Sequence, residues 1–277
     1  MSEPQTLDLR DLNGLIATVV LTGSIEPDFA YNLMEMRSYN EANDFKKIEY
    51  RQFDAKLVEA GRDSAVAHMM SEGYQWLLQI DADAAPFPPN ALIAMLQDAF
   101  IDFPQADAIG AYCQLKSPVP LPTIDTGTGT WEEHYPDTGV LPVIRTGAHF
   151  LLTKRSAFDK MGGPPWFRTR SSQRVLDAMF EVDSFARCSL DGENPLTANP
   201  EWDTLLHSAA AVSSGGPSHV GEDSGFCDRL RAVGGTILVD TRIIAGHIGK
   251  QQITPDMLRD AMESRDRNIR MACGVME

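Results

Sequence analysis

The sequence predicts an α/β protein with a mainly parallel central sheet and helices on both of its faces. Three observations predict this fold class. The run LIATVVLT, from Leu15 to Thr22, is continuously apolar, as expected of a strand buried on both faces. Comparable short runs recur up to Tyr112, and apolar residues at helical spacing lie between them. The alternating units are short, which is typical of strand–helix–strand connections in a parallel sheet.

The first 112 residues follow this alternation in order. Gly61 falls inside the second predicted helix and weakens it, so two shorter helices are an alternative there. The predicted strands are 15–22, 47–53, 76–80 and 106–112, and the predicted helices are 26–40, 54–71 and 88–100.

The second half of the chain is less regular. Residues 113–146 are rich in proline and glycine, which favours extended segments and loops. Glycine, serine and proline also cluster within 168–220, and we expect a mobile loop within 186–219. The later predicted elements are a strand at 147–153, a helix at 154–161, a helix at 222–233, a strand at 236–241 and a helix at 255–273. We predict one domain, 1–277, with halves 1–112 and 113–250 and a C-terminal helix in 251–277.

Composition narrows the class of protein. The 277 residues are 43% hydrophobic and 23% charged, which is typical of a globular protein, and the formal net charge of −15 disfavours duplex nucleic acid as a partner. The cysteines are scattered, so a disulfide scaffold is not expected; they are Cys113, Cys188, Cys227 and Cys273. Because we find no signal peptide and no apolar run long enough to span a membrane, we expect a cytoplasmic protein.

Two carboxylates, Asp81 and Asp83, follow the third predicted strand in the stretch QIDADAAP. In an extended segment their side chains point the same way, and they repel each other unless a cation or a proton lies between them. Carboxylate oxygens suit Mg²⁺ or Mn²⁺, which complete their coordination with substrate phosphates. The alternative is a turn at the end of a strand, where Asp is common. The carboxyl ends of parallel strands are where ligands bind, which favours the metal interpretation.

Two further motifs carry candidate chemistry. Glu222 and Asp223 begin a predicted helix, where they act either as a general base or simply as favourable charges at the positive end of the helix dipole. His247, in AGHIGK, is either a structural histidine or a third metal ligand. A histidine beside carboxylates favours Mn²⁺ over Mg²⁺.

Other residues are candidates for contacts with a ligand, and each of them can instead have a purely structural role. Arg62 can face a phosphate, pair with a carboxylate or lie on the surface. His149, Trp131 and Trp166 are candidate contacts for an acceptor, and the two tryptophans can instead fill the core. The phosphate-binding loop GxxxxGK[ST], a GxGxxG after the first strand and the hydrolase motif GxSxG are all absent from the sequence.

Taken in order, four segments resemble the GT-A glycosyltransferases, near the family-two group of nucleotide-sugar transferases from bacteria and phages. The resemblance extends over about positions 15 to 250. The segments are LIATVVLT, GRDSAVAHMMSEGYQWLLQIDADAAPFPPNAL, RTGAHFLLTKRSAFDKMGGPPWF and VGEDSGFCDRLRAVGGTILVDTRIIAGHIG. The order of the four segments is more specific than any one of them.

The resemblance implies roles in donor binding. Asp81 and Asp83 match the family's DxD motif, which holds a divalent metal and the ribose and diphosphate of the donor, and Asp83 is the expected direct ligand. His247 matches the late histidine that completes the metal site. Arg62 matches an arginine near the diphosphate, although Asp63 stands where many relatives carry Asn. Thr22 and Glu26 lie in the region that contacts the nucleobase and ribose.

The resemblance also implies how the second half acts. Asp223 matches the base that deprotonates the acceptor hydroxyl in inverting members, and Glu222 assists it or binds the acceptor. Gly147, Ala148 and His149 match residues on the acceptor side. The expected activity is therefore metal-dependent transfer of a sugar from a nucleotide-diphosphate sugar to a glycan, a protein or a modified base, with 1–112 as the donor half and 113–250 as the acceptor half. The alternatives are a nucleotidyltransferase of similar fold and a non-catalytic carbohydrate- or nucleotide-binding protein.

Overall fold

A computed structural model of the chain describes residues 7–21, 25–114, 122–127, 139–168 and 221–248. The α-helices in these ranges are α1 (Pro27–Ala42), α2 (Val58–Glu72), α3 (Ala91–Gln97), α4 (Arg155–Met161) and α5 (Glu222–Ala232). A short 3-10 helix covers Leu9–Asp11, and a π-helix covers Asp98–Asp102. The strands are β1 (Gly14–Val20), β2 (Ile48–Asp54), β3 (Trp76–Asp81), β4 (Ala108–Cys113), β5 (Ile124–Asp125), β6 (Val140–Val143), β7 (Arg145–Thr146), β8 (Phe150–Lys154) and β9 (Ile237–Ala245). Of the helices so described, none has both the length and the apolar character that a membrane crossing needs. The predicted terminal helix at 255–273 and the predicted loop within 186–219 lie outside these ranges.

Seven of the strands form one mixed sheet in the order β2-β1-β3-β8-β4-β9-β6. Strands β2, β1 and β3 are parallel to one another, and β4 is parallel to β9. Strand β8 runs antiparallel between β3 and β4, and β6 is antiparallel to β9 at the edge. Strands β5 and β7 form a separate two-stranded sheet. The α/β fold class with a mainly parallel sheet is confirmed.

Helices cover both faces of the sheet. Successive side chains of a strand point to opposite faces, so neighbouring residues belong to two different hydrophobic cores. Ile16 of β1 belongs to the core that contains Phe29 of α1 and Leu92 of α3. Leu15, its neighbour, belongs to the core on the other face, together with α2, α4 and α5 and with residues such as Phe226. The sheet is therefore a buried platform, and only the ends of its strands are available to form a site.

Helix α2 is continuous, so the two-helix alternative for 54–71 is wrong. Gly61 lies in the first turns of α2, where a Cβ would come within 2.8 Å of Cγ1 of Val19 and 3.1 Å of the Cβ of Ala55. The glycine lets the helix approach the sheet closely and does not break it.

Two irregularities bring separate parts of the chain to the carboxyl end of β3. Because β8 is inserted beside β3, the backbone N–H of Asp81 donates to the carbonyl of His149, at 3.0 Å. In β9 the register shifts, since Ala111 faces Asp240 and the next residue, Tyr112, faces Ile244. The chain then continues past the end of β9 to lie beside the segment that follows β3.

Candidate active site

Asp83, His149 and His247 converge at the carboxyl end of β3. Each of the three offers a ligand atom, and these atoms all lie within 4.8 Å of one another. His149 comes from the start of β8, and His247 from the segment after β9. His149 is buried, whereas the Asp83 side chain is 37% exposed, so the group opens towards solvent on its carboxylate side. One carboxylate and two imidazoles form a donor set that suits a divalent transition metal.

Backbone pairing fixes the position of His247. The backbone N–H of Ile248 donates to the carbonyl of Asp83 at 2.8 Å, and the N–H of Ala85 donates to the carbonyl of Gly246 at 3.0 Å. A Cβ at Gly246 would lie only 2.5 Å from the carbonyl oxygen of Ala85. The two segments approach so closely that only glycine fits at position 246.

Each histidine of the group is anchored through one ring nitrogen to a backbone carbonyl. Nε2 of His149 is 2.9 Å from the carbonyl oxygen of Gly246, and Nδ1 of His247 is 2.6 Å from that of Gln114. A carbonyl oxygen only accepts hydrogen bonds, so each of these nitrogens carries the hydrogen. Metal-binding histidines are commonly oriented in this way, because the anchored N–H fixes the ring and its tautomer. The donor set and its anchoring therefore fit a divalent metal.

Arg62 is the buried cation of the site, with 2% of its surface exposed. Its Nη2 donates to both carboxylate oxygens of Asp81, at 2.9 and 3.1 Å, and its Nη1 donates to the carbonyl of Ala148 at 2.7 Å. Its Nε lies 3.5 Å from Oε1 of Glu222. Of the alternatives that the sequence left open for Arg62, the carboxylate pairing is the one observed.

The charges around Arg62 shift one another's pKa values. Burial lowers the pKa of the Arg62 guanidinium, but Asp81, Glu222 and Asp223 outweigh this effect and raise it above its ordinary value. Burial raises the pKa of Asp81, but Arg62 and His149 reverse this and hold it below its ordinary value. Burial raises the pKa of Glu222, which Arg62 opposes only in part. Asp81 is thus held as a carboxylate, while Glu222 takes up a proton more readily than an exposed glutamate.

Helix α5 presents Glu222 and Asp223 at its first turn. Oδ1 of Asp223 accepts a hydrogen bond from the backbone N–H of Ser224 at 2.6 Å. Further along α5, the Asp228 carboxylate accepts from Nε and Nη2 of Arg145 in β7, at 2.9 and 3.0 Å. This ion pair and the contact of Glu222 with Arg62 orient the start of α5 relative to β3.

Asp63 has a structural role that its place after Arg62 did not suggest. Its Oδ1 accepts hydrogen bonds from the backbone N–H groups of Trp166 and Phe167, both at 2.9 Å. The ring of Phe167 stacks on that of Phe226 in α5, with centroids 4.5 Å apart and an angle of 7° between the planes. Asp63 therefore connects α2 with the segment that supports α5.

The remaining predicted residues lie further from this group or outside the described ranges. Trp166 is buried, and its ring packs edge-on against Phe158, with centroids 6.1 Å apart, which is the core-filling alternative. The backbone N–H of Gly147 donates to Thr123 in the turn before β8. Glu26 is exposed at the start of α1. Thr22 and Trp131 lie outside the described residues.

The structure differs from the predicted metal group in one member. The sequence predicted Asp81, Asp83 and His247, whereas the atoms that cluster belong to Asp83, His149 and His247, and Asp81 is engaged by Arg62. His149 was assigned to the acceptor side, because nothing local relates position 149 to position 83. The pairing of β8 with β3 is what brings them together.

Comparisons with known proteins give distant likenesses. No protein-family model matches the chain, and no curated protein matches it in sequence. The chain is similar in structure to A197 from STIV, with 15% identity, a TM-score of 0.49 and coverage of 89% of this chain and 92% of that one. It is also similar to UDP-glucose pyrophosphorylase complexed with UDP-glucose, with 10% identity, a TM-score of 0.39 and coverage of 93% and 99%. A glycosyltransferase involved in the glycosylation of the major capsid of PBCV-1 has 10% identity, a TM-score of 0.30 and coverage of 91% and 99%.

Proposed function

We propose that this protein is a metal-dependent glycosyltransferase that moves a sugar from a nucleotide-diphosphate sugar to an acceptor hydroxyl. The observation that carries the proposal is the cluster of Asp83, His149 and His247 at the carboxyl end of β3. Ligands of α/β sheets bind at the carboxyl ends of the strands, and a metal held there lies where a nucleotide would bind. The exposed side of Asp83 leaves the cluster accessible to a ligand from solvent.

The residues of the cluster give the donor its binding site. Asp83, His149 and His247 would hold a divalent cation, and its positive charge would neutralise the leaving nucleoside diphosphate. Asp81, fixed by Arg62 beside the cluster, is placed to accept a hydrogen bond from the ribose or from water. Thr22 and Glu26, after β1, are proposed to lie along the nucleobase and ribose. The overall negative charge of −15 is compatible with an anionic donor that binds through a metal.

Asp223 is the proposed general base of an inverting reaction. Its carboxylate accepts a hydrogen bond from the Ser224 N–H at the start of α5. The contact of Glu222 with Arg62 links this end of α5 to the part of the site beside the metal group. Asp223 would remove the proton of the acceptor hydroxyl while that oxygen attacks the sugar from the face opposite the diphosphate. Glu222 is proposed to orient this helix start and to contact the acceptor, and Gly147 to lie on the acceptor side, whereas His149 is proposed to hold the metal. The ring of Trp166 is buried, so we propose that Trp166 affects the acceptor side only by fixing the position of its own backbone segment.

A thermal-shift screen of nucleotide sugars, with and without Mn²⁺, tests the proposal. A ligand that binds only the folded state raises the melting temperature by mass action. We expect at least one nucleotide sugar to raise it, and only when Mn²⁺ is present. Incubation of that donor should then release its nucleoside diphosphate, whereas release of a sugar phosphate in the presence of pyrophosphate would identify a nucleotidyltransferase. If no nucleotide sugar or nucleoside diphosphate binds under either condition, the proposal is wrong.

A further inference from the structure

We propose that His149 is a full protein ligand of the metal, and that Asp83, His149 and His247 hold a transition-metal ion before any nucleotide binds. Arg62 keeps Asp81 out of the coordination sphere. The inference rests on the metal site of the proposed function, but it does not depend on sugar transfer. It names which metals the site takes, which residues hold them and in what order metal and nucleotide bind.

The hydrogen bond of His149 to the Gly246 carbonyl leaves its other ring nitrogen, Nδ1, to bind a cation. Nε2 donates to the carbonyl of Gly246, so neutral His149 has its lone pair on Nδ1. Nδ1 lies 3.4 Å from Oδ2 of Asp81 and 3.7 Å from Oδ1 of Asp83. A lone pair that faces carboxylate oxygens is repelled unless a proton or a metal ion lies between them. A metal ion shared by Nδ1 and Asp83 removes this repulsion.

His247 presents its lone pair in the same group. Its Nδ1 donates to the carbonyl of Gln114, which leaves Nε2 as the nitrogen that coordinates. The rings of His149 and His247 lie 3.5 Å apart between centroids, at an angle of 54°. Two imidazoles anchored so close together, each through its own backbone carbonyl, are oriented towards the same ligand.

The carboxylate of Asp81 is hydrogen-bonded to Arg62 and is not one of the three metal ligands in this proposal. Both of its oxygens accept hydrogen bonds from Nη2 of Arg62, a side chain with 2% of its surface exposed. Arg62 is also held by the Ala148 carbonyl, so turning it away would leave a buried guanidinium without its partner. The site therefore has one carboxylate and two nitrogen ligands from the protein.

This donor set determines which ions bind, and when. Imidazole nitrogens favour Mn²⁺, Co²⁺ and Zn²⁺, whereas Mg²⁺ prefers oxygen ligands and keeps much of its water. The three ligands are held by β3, β8 and the backbone pairing of Gly246 with Ala85, so metal binding orders little of the chain. Three preorganised protein ligands retain the ion without help from a diphosphate.

Equilibrium dialysis of the nucleotide-free protein against Co²⁺ tests this inference. We expect one Co²⁺ per chain, retained in the presence of an approximately 100-fold excess of Mg²⁺. His149→Gln and His247→Gln should each weaken binding at least about tenfold, while Asp81→Asn should change it less than about threefold. His68→Gln is the matched control, because His68 contacts Glu49 and lies outside the group. Circular dichroism and thermal unfolding establish that each variant is folded.

A second measurement on the unaltered protein avoids any variant that fails to fold. Pulsed electron paramagnetic resonance of the Mn²⁺-loaded, nucleotide-free protein should show two coupled imidazole nitrogens. One nitrogen or none would overturn the assignment of His149. The inference is also overturned if Co²⁺ binds only when a nucleoside diphosphate is added, or if Mg²⁺ displaces Co²⁺ at equal concentration.

The two proposals fail in different ways. If Co²⁺ binds as expected and no nucleotide sugar binds to the loaded protein, the metal site stands and the glycosyltransferase proposal is wrong. If nucleotide sugars bind with Mn²⁺ but neither Co²⁺ nor Mn²⁺ binds the nucleotide-free protein, the transferase proposal stands. The inference that the metal binds before the nucleotide is then wrong.

Discussion

Nη2 of Arg62 donates hydrogen bonds to both carboxylate oxygens of Asp81, at 2.9 and 3.1 Å, and only 2% of the surface of Arg62 is exposed. The same side chain reaches Glu222 through Nε, at 3.5 Å. Arg62 thus connects the end of β3, which carries the metal group, to the start of α5, which carries the proposed base.

Loss of Arg62 should destabilise the protein strongly. Arg62→Met removes the partner of a carboxylate and leaves Asp81 and Glu222 facing each other, and breaking a buried ion pair costs about 3–5 kcal/mol. Urea denaturation should show a fall of about this size in the free energy of unfolding. Arg37→Met is the control, because Arg37 pairs with Glu41 on the exposed face of α1 and should unfold like the wild type. Equal stability of the two variants would contradict the role given to Arg62.

A single methyl group at Gly246 should disturb the metal group. In Gly246→Ala the new Cβ would lie 2.5 Å from the Ala85 carbonyl oxygen, so the segment that carries His247 must move. We expect a loss of about 1–3 kcal/mol in stability together with weakened Co²⁺ binding. Gly163→Ala, where a Cβ meets nothing within 4 Å, should leave both properties unchanged. Normal Co²⁺ binding by Gly246→Ala would show that the close approach does not position His247.

Asp223→Asn should separate binding from catalysis. The amide oxygen still accepts from the Ser224 N–H, so we expect metal-dependent nucleotide binding to persist. Transfer should fall at least about 100-fold, because the amide cannot act as a general base. Turnover is measured from the nucleoside diphosphate released in the presence of an acceptor, with Asp159→Asn, an exposed acid of α4, as the control. If Asp223→Asn turns over normally, the base assignment is wrong and a retaining reaction must be considered.

The stability of the protein should depend on pH through Asp98. Burial, together with the neighbouring Asp240 carboxylate, raises the pKa of Asp98 from about 3.8 to about 7, although Arg242 contacts both groups. Between these values the folded protein holds a proton that the unfolded chain has released. The stabilising contribution is therefore complete below about pH 4 and is lost as the pH rises through about 7.

Urea denaturation from pH 5 to pH 8 measures this effect. The free energy of unfolding should fall more steeply with pH in the wild type than in Asp98→Asn, which cannot ionise. Asp102→Asn, at an exposed position in the following turn, should keep the wild-type slope. Parallel slopes for the wild type and Asp98→Asn would contradict the raised pKa of Asp98 in the folded protein.

The sequence predicted the parts of the fold that local patterns encode. The apolar run from Leu15 marks β1, and the run from Trp76 predicted β3, with Asp81 as its last residue and Asp83 in the turn that follows. Helical spacing identified α5 with Glu222 and Asp223 in its first turn. These features depend on neighbours within about one turn or one strand, which is why periodicity finds them.

His149 and Arg62 were both candidates from the sequence, but their partners in the site depend on distant pairings. His149 joins Asp83 because β8 is inserted antiparallel beside β3, and no local spacing encodes that strand order. Arg62 meets Asp81 only because α2 packs on the sheet with Gly61 against Val19. The available signal for His149 was a histidine within the predicted strand 147–153, and such a histidine is also compatible with an acceptor contact.

The measurement that tests the central claim most directly is a titration of nucleoside diphosphates against the wild type and Asp83→Ala, with and without Mn²⁺. Asp102→Ala serves as the control variant. The account predicts that at least one nucleoside diphosphate binds the wild type and the control only when Mn²⁺ is present, and that Asp83→Ala does not bind it. Metal-independent binding, or binding that is unchanged in Asp83→Ala, would contradict the account.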